Sequence, residues 1–181
     1  MKRRNIAGEH DEYKKQLNIY YWKCFASEFS KICVFFLIFM CLNLIPEYII
    51  ALFTLMVLRS NGGGLHFKHF ISCLVVSFIF LYSSILLAKY IIPPKSILYT
   101  SILLCLPLGY ALVPITSSNR PPATSEQIGK SKRNTAISIL FLFILICLCS
   151  NMHHIYICYW TIILHILQLI IAHIKEVKKN V

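Results

Sequence analysis

Apolar residues fall in long runs along this chain, and the runs are as long as a membrane is thick. Two of them cover 71–92 and 97–115 with Lys89 as their one charged residue, and each suits a hydrocarbon core that needs ~20 residues. A third stretch, 136–172, is too long for one crossing and is divided by a polar segment at 151–154. The pattern predicts four crossings, arranged as helical hairpins over 70–115 and 136–172.

The apolar stretch 32–58 is harder to interpret, because Pro46 and Glu47 divide it into two short pieces. It could form one long tilted helix, two short crossings or a re-entrant hairpin. Lys and Arg near span ends stay cytoplasmic. If the stretch returns to its starting side, only Lys89 and Lys95 lie opposite all the other basic residues, whereas a single crossing would divide them equally. We therefore predict six membrane segments, the first two short, with both termini cytoplasmic.

The polar segments complete this all-α membrane architecture, which we treat as a single domain over 1–181. Residues 1–31 place apolar side chains at helical spacing among lysines, which predicts an amphipathic helix on the cytoplasmic membrane surface, and a solvated basic tail is an equal alternative. Three further cytoplasmic segments are predicted: a loop at 59–69, a basic loop at 116–135 that is rich in Pro, Ser and Gly, and a tail at 173–181.

Composition agrees with a multi-pass protein of the cell membrane. Of 181 residues, 57% are hydrophobic and 14% charged, and the mean hydropathy is +0.68, far outside the range of soluble domains. The formal net charge of +11 would suggest nucleic acid in a soluble protein. Here the basic residues sort by membrane side, so we expect membrane lipids and no nucleic acid as partners. The eight cysteines include no Cys-x-x-Cys pair and are expected to be mostly reduced, buried apolar residues.

Candidate chemistry is concentrated between His66 and Cys73, where a base and a thiol stand beside an apolar helix. A thiol attacks a carbonyl as thiolate, and a nearby imidazole or a helix N-terminus favours that form. In one straight helix the two residues would lie ~10.5 Å apart along the axis, too far for a hydrogen bond. The triple glycine 62–64 permits a fold-back and offers backbone N–H groups to an oxyanion. The alternative to catalysis is that Cys73 is a buried packing residue and His66 a solvated residue at the membrane interface.

A metal site is a rival interpretation of the same segment. His66, His69 and Cys73 fall at i, i+3 and i+7, on one face of a helix, and all three are zinc-type ligands. The metal site requires a helix that begins early enough to include His66, and such a helix would not explain the three glycines that precede it. We therefore expect no metal and no other cofactor. Inhibition by a thiol alkylator but not by a chelator would eliminate the metal site.

Taken together, Arg59, Gly63, Gly64, His66 and Cys73 resemble the pattern of the accessory gene regulator protein B family. The resemblance covers most of the chain, including its length, about six membrane segments and a polar basic loop after the fourth. The family consists of bacterial membrane cysteine endopeptidases that process a quorum-sensing pheromone precursor. The resemblance implies that Cys73 is the nucleophile and His66 its base.

The resemblance also implies a two-step acyl transfer on a small amphipathic precursor peptide. Cys73 would cleave the precursor and hold it as a thioester, which an internal thiol or hydroxyl would convert into a cyclic product. Arg59 and the glycines 62–64 would serve substrate or oxyanion binding. The basic residues of the 116–135 loop would attract the precursor or merely set topology; they are Arg120, Lys130, Lys132 and Arg133.

Several alternatives stay open at this point. A small transporter or export subunit would use polar residues inside the last span, His165 and Gln168, and an adaptor would need no chemistry at all. A homodimer is compatible with so small a membrane enzyme. The residue that orients His66 is not identified, with Asn61, Ser77 and Asn119 as candidates.

Overall fold

The structure is a computed structural model that describes residues 2–62, 70–113 and 125–179. This part of the chain is helical apart from short turns, which confirms an all-α membrane protein. Its six helices are α1 Lys2–Cys41, α2 Ile45–Gly62, α3 Phe70–Tyr90, α4 Lys95–Leu112, α5 Ser125–Leu148 and α6 Met152–Lys179.

Four of these helices, α3 to α6, are long and apolar enough to cross a membrane, and they are the four predicted crossings. Their connections also lie where the sequence indicates. The segment Ile91–Pro94 separates α3 from α4, since neither proline can continue the first helix. Asn151 caps the N-terminus of α6, because its Oδ1 accepts hydrogen bonds from the backbone N–H groups of His153 and His154 at 3.0 and 3.4 Å.

The chain divides into two compact units, Met1–Asn43 and Leu44–Val181. The first is α1, one helix without interruption from Lys2 to Cys41, so the predicted surface helix and the first apolar segment are continuous. Within it, Lys31 and Glu28 form an ion pair at 2.5 Å, one turn apart. The helix ends where Asn43 takes a φ of 55°, a left-handed conformation that Asn tolerates better than most residues.

The boundary predicted at Pro46 and Glu47 is therefore wrong by a few residues. The break is the turn Leu42–Leu44, and Pro46 belongs to the first turn of α2, where its missing N–H is not needed. Glu47 also lies in this first turn, where a carboxylate is favoured by the positive end of the helix.

Two other predicted boundaries need correction. The residues 125–135, predicted as part of the basic loop, form the first turns of α5, because no proline follows residue 122 and Glu126 favours a helix start. Residues 59–62, predicted as the start of a loop, are the last turn of α2, where glycine is common at a helix end. The predicted tail is also helical as far as Lys179.

Helix α6 is the central element of the second unit. In the most apolar 18-residue stretch of α6, 61% of the residues are buried, whereas the corresponding share in α3, α4 and α5 is 22–28%. Four helices form a closed ring in which α2 contacts α5, α5 contacts α4, α4 contacts α6, and α6 contacts α2. Helix α3 lies outside this ring, against α6 and α2. The outward faces of α3, α4 and α5 carry large exposed apolar side chains, as expected for helices in contact with lipid tails.

Two polar contacts of α6 supplement the apolar packing. Trp160 of α6 donates its indole N–H to the carbonyl oxygen of Ile91 at 3.0 Å, beyond the end of α3. Ser101 of α4 lies 3.3 Å from the hydroxyl of Tyr159. These contacts join neighbouring residues of α6 to the segment after α3 and to α4.

Candidate active site

Cys73 is the fourth residue of α3. Its side chain is half-buried, and the first turn of a helix carries backbone N–H groups without intrahelical partners. The helix dipole is positive at this end, which favours a thiolate over a thiol. The position therefore suits a nucleophilic sulfur that is accessible and close to backbone donors.

The proposed base does not belong to the described part of the chain. His66, Gly63, Gly64 and the alternative metal ligand His69 all lie in 63–69, outside the described residues. The pairing of His66 with Cys73, the oxyanion role of these glycines and the rival metal site are thus predictions from the sequence. Asn119 and Arg120 also lie outside the described residues.

Two further site residues, Arg59 and Gly62, lie at the end of α2 that leads towards α3. Arg59 is half-buried, and Gly62 is the last residue of the helix. The fold thus brings the segment that carries Arg59 and the helix that carries Cys73 into one unit, since α2 contacts α3.

The basic residues near the start of α5 are ordered on a helix. Lys130 and Arg133 are exposed, whereas Lys132 places its Nζ 5.6 Å from the ring centroid of Tyr110 in α4. Such a cation–π contact holds the lysine against the α4–α5 pair. Lys130 and Arg133 are thus better placed than Lys132 to meet a charged partner.

Of the residues proposed to orient the base, Ser77 is described most fully. It lies four residues after Cys73 on α3, one turn along the same face, and is half-buried. Asn61 belongs to the last turn of α2. The fold places both on elements that border residues 63–69.

The sequence did not reveal a relation between Arg59 and His165. His165 of α6 is fully buried, and the charge of Arg59 acts on it across the α2–α6 interface. The available signal was the spacing of Thr161, His165 and Gln168 at i, i+4 and i+7, which puts three polar groups on one face of an apolar helix. This spacing does not predict which neighbouring helix the three polar side chains face.

Comparison with known protein families gives a match that covers nearly the whole chain. Residues 2–171 match the model of a family described as Accessory gene regulator B. Comparison with curated proteins and with solved structures gave no match.

Proposed function

We propose, since this chain belongs to the Accessory gene regulator B family, that it is a membrane-embedded cysteine endopeptidase with Cys73 as its nucleophile. Members of the family take part in the processing of quorum-sensing peptide precursors, and so does this chain. The observation that carries the proposal is the position of Cys73, half-buried in the first turn of a membrane helix. Backbone donors and the helix dipole both favour a reactive sulfur at this position.

The proposed reaction has two acyl-transfer steps. His66 takes the proton of the Cys73 thiol, and the thiolate attacks a carbonyl carbon of the precursor. The tetrahedral intermediate collapses, the peptide C–N bond breaks, and the leaving amine takes the proton from His66. The remaining part of the precursor is now a thioester of Cys73.

In the second step a thiol or hydroxyl of the same precursor attacks the thioester carbonyl. Its proton passes to His66, the C–S bond breaks, and Cys73 returns as thiolate while the precursor closes into a ring. Exclusion of water by the surrounding apolar helices protects the thioester from hydrolysis. We place the site at the cytoplasmic face of a multi-pass bacterial membrane protein, with both termini cytoplasmic.

The test is co-expression of the full chain with its candidate precursor, with cleavage read by mass spectrometry. We expect Cys73→Ala and His66→Ala each to abolish cleavage while membrane insertion is unchanged. Cys147→Ala is the matched control, because that cysteine is exposed on α5 and belongs to the same membrane unit. We also expect a precursor fragment bound to Cys73 that hydroxylamine releases.

Cleavage that persists in Cys73→Ala, or that is lost equally in Cys147→Ala, would contradict the assignment. Loss of activity on incubation with a chelator, without any effect of a thiol alkylator, would instead favour the metal site formed by His66, His69 and Cys73.

A further inference from the structure

Helix α1 carries an exposed aromatic ladder that consists of Trp22, Phe25 and Phe29. The three side chains follow at i, i+3 and i+7, on one face of the helix, and they are 67%, 63% and 58% exposed. The rings of Trp22 and Phe25 meet edge-on with centroids 6.0 Å apart, and those of Phe25 and Phe29 stack at 6.3 Å. An exposed apolar patch of this kind marks a surface that binds a membrane or another molecule.

The other end of α1 shows where this helix meets a membrane boundary. The helix ends at Cys41, and the turn Leu42–Leu44 leads directly into α2. Glu47, in the first turn of α2, lies 3.5 Å from His153, close to residues 149–151, which connect the membrane-spanning helices α5 and α6. Cys41 is therefore within a few residues of the boundary at which α5 ends and α6 begins.

Counted from that boundary, one crossing of the membrane ends at Trp22. The segment 22–41 contains 20 residues, and ~20 helical residues span the ~30 Å hydrocarbon core. Val34 and Leu37, further along α1, are exposed apolar side chains of the kind that lipid tails contact. Length alone therefore places the aromatic ladder at the membrane boundary opposite Cys41.

The residue types around Trp22 agree with this level. Tyr20, Tyr21 and Trp22 are consecutive, and Tyr and Trp are the side chains enriched where a membrane meets water. Within the ladder, the residue with a polar N–H, Trp22, is outermost, whereas Phe25 and Phe29, which have no polar atom, lie deeper. This is the order expected for a helix that passes from headgroups into acyl chains.

The charges along α1 follow the same layers. The segment 2–23 has six basic and three acidic residues, which suits it to lipid phosphates. In the segment 24–41 the charged residues are Glu28 and Lys31, and they form an ion pair in which the lysine side chain is buried. The crossing therefore has no net charge, and the excess of positive charge lies on the headgroup side of the ladder.

We propose that the aromatic ladder binds the lipid headgroup boundary of the cytoplasmic leaflet and that α1 crosses the membrane there as one continuous helix. The exposed apolar residues between the ladder and Cys41 face lipid tails, so a lipid partner continues a surface that the helix already has. Helix α2, with 18 residues, is then a second full crossing and not one arm of a re-entrant hairpin. The inference takes the side of the membrane from the proposed function and needs no catalysis.

The experiment reads tryptophan fluorescence of the full-length protein in phosphatidylcholine nanodiscs. The chain has two tryptophans, so Trp160→Phe leaves Trp22 as the only one. Quenching is measured with lipids brominated near the glycerol, with lipids brominated near the bilayer centre, and with acrylamide in the water. We expect the shallow bromines to quench Trp22 about twofold more than the deep ones, and acrylamide to quench it less than about half as strongly as free tryptophan.

A second tryptophan position calibrates the depth. Val34→Trp is introduced into protein that also carries Trp22→Phe and Trp160→Phe, and it lies roughly 18 Å further along α1 than Trp22. Here the deep bromines should quench more strongly than the shallow ones. Because the indole of Trp160 donates a hydrogen bond to Ile91, Trp160→Tyr replaces Trp160→Phe if the latter does not fold, with excitation at the red edge where only tryptophan absorbs.

Each other pattern overturns the proposal. Quenching of Trp22 by acrylamide as strong as that of free tryptophan means that water covers the ladder. Stronger quenching of Trp22 by the deep bromines places the ladder inside the hydrocarbon core. Protection from all three quenchers means that a protein covers the ladder, either another part of the chain or a second copy. The measurement is made without precursor, so its outcome does not depend on whether the chain cleaves one.

Discussion

The two ends of the α2–α6 interface are built from the same helices and differ in which polar side chains meet across it. At the Glu47 end the carboxylate faces His153, and in the middle Thr54 donates to the carbonyl of Ile50 at 2.8 Å and contacts Cys158. At the Arg59 end, Gln168 interacts with His165 from one turn away, but neither ring nitrogen of His165 nor Oε1 of Gln168 has a hydrogen bond of full geometry among the described residues. Within the described part of the chain, the Glu47 end has a pair of side chains that meet across the interface, although Oε2 of Glu47 is itself buried without a partner, whereas no such pair satisfies the nitrogens of His165.

This difference has an energetic meaning. A buried polar group without a hydrogen bond costs about 1–3 kcal/mol, whereas a paired one is roughly neutral or slightly favourable. A bundle selected for stability alone would carry apolar residues at positions 165 and 168, as it does at the neighbouring buried positions Ile162, Ile166 and Leu169. Polar residues that reduce stability at a defined place are expected at functional sites.

The largest expected effect comes from Arg59→Gln. If the Arg59 end binds substrate, precursor processing should fall about tenfold or more, because a charge-assisted contact contributes ~1.5–3 kcal/mol. The thermal unfolding midpoint should change little, since this arginine has no ion pair with a described acidic residue to lose. Processing is measured as the cleaved fraction of precursor in membranes.

The comparison for that experiment is Glu47→Gln at the opposite end of α2. It keeps the size of the side chain and should leave processing nearly unchanged. Equal losses of processing in the two variants would mean that the ends do not differ in function.

A second prediction concerns the packing that supports the Arg59 end. A Cβ at Gly109 of α4 would lie 2.8 Å from Cδ1 of Ile139 and 3.5 Å from Cδ1 of Ile166, the neighbour of His165. Ile139 is fully buried, so Gly109→Val should lower the free energy of unfolding by about 1–3 kcal/mol. Thermal unfolding in detergent micelles gives the sign and size of the change.

Gly129→Ala provides the matched substitution. A Cβ at Gly129 meets nothing within 4 Å, and Ala favours a helix over Gly by up to ~1 kcal/mol. It should stabilise the protein slightly. If Gly109→Val were as well tolerated, the close contact of α4 with α5 and α6 would not be needed to hold this end.

Hydrophobic runs were sufficient to predict the four crossings, because their length and apolar composition dominate every other signal in a membrane. Boundaries were predicted less well. Pro46 predicts a break in the sequence pattern, although proline is tolerated in the first turn of a helix, and the true break at Asn43 depends on a left-handed backbone that asparagine only permits. The start of α5 was missed because Ser, Gly and Lys are common in loops and in exposed helix turns alike.

The candidate site was predictable only where its residues are neighbours in sequence. Cys73, His66 and the glycines form one short segment, so their spacing could be compared with a known pattern. Arg59 and His165 come to the same end of the bundle only because α2 and α6 run parallel, as the contacts Glu47–His153 and Thr54–Cys158 show. Single-helix periodicity does not contain that information.

A third prediction tests the cost of the unpartnered groups. His165→Leu replaces a buried imidazole by an apolar side chain and should raise the free energy of unfolding by up to ~1 kcal/mol, because a desolvation penalty is removed. Thr54→Val, in the completed part of the interface, should lower it by about 0.5–1.5 kcal/mol, because it removes a made hydrogen bond. Opposite signs in thermal unfolding are expected, and a loss of stability in both variants would show that His165 is already satisfied.

The smallest effect is expected at the Glu47 end. His153 and Glu47 are 3.5 Å apart, but 43% of the His153 side chain and 20% of the Glu47 side chain are exposed, so water and salt screen their attraction. His153→Ala should therefore reduce the free energy of unfolding by less than about 1 kcal/mol, and less still at high salt, as measured by thermal unfolding at two ionic strengths. His154→Ala is the control, since His154 lies beside it on the same turn without this carboxylate contact. A larger loss in His153→Ala that resists salt would mean that this pair, and not apolar packing, fixes the register that sets Arg59 opposite His165.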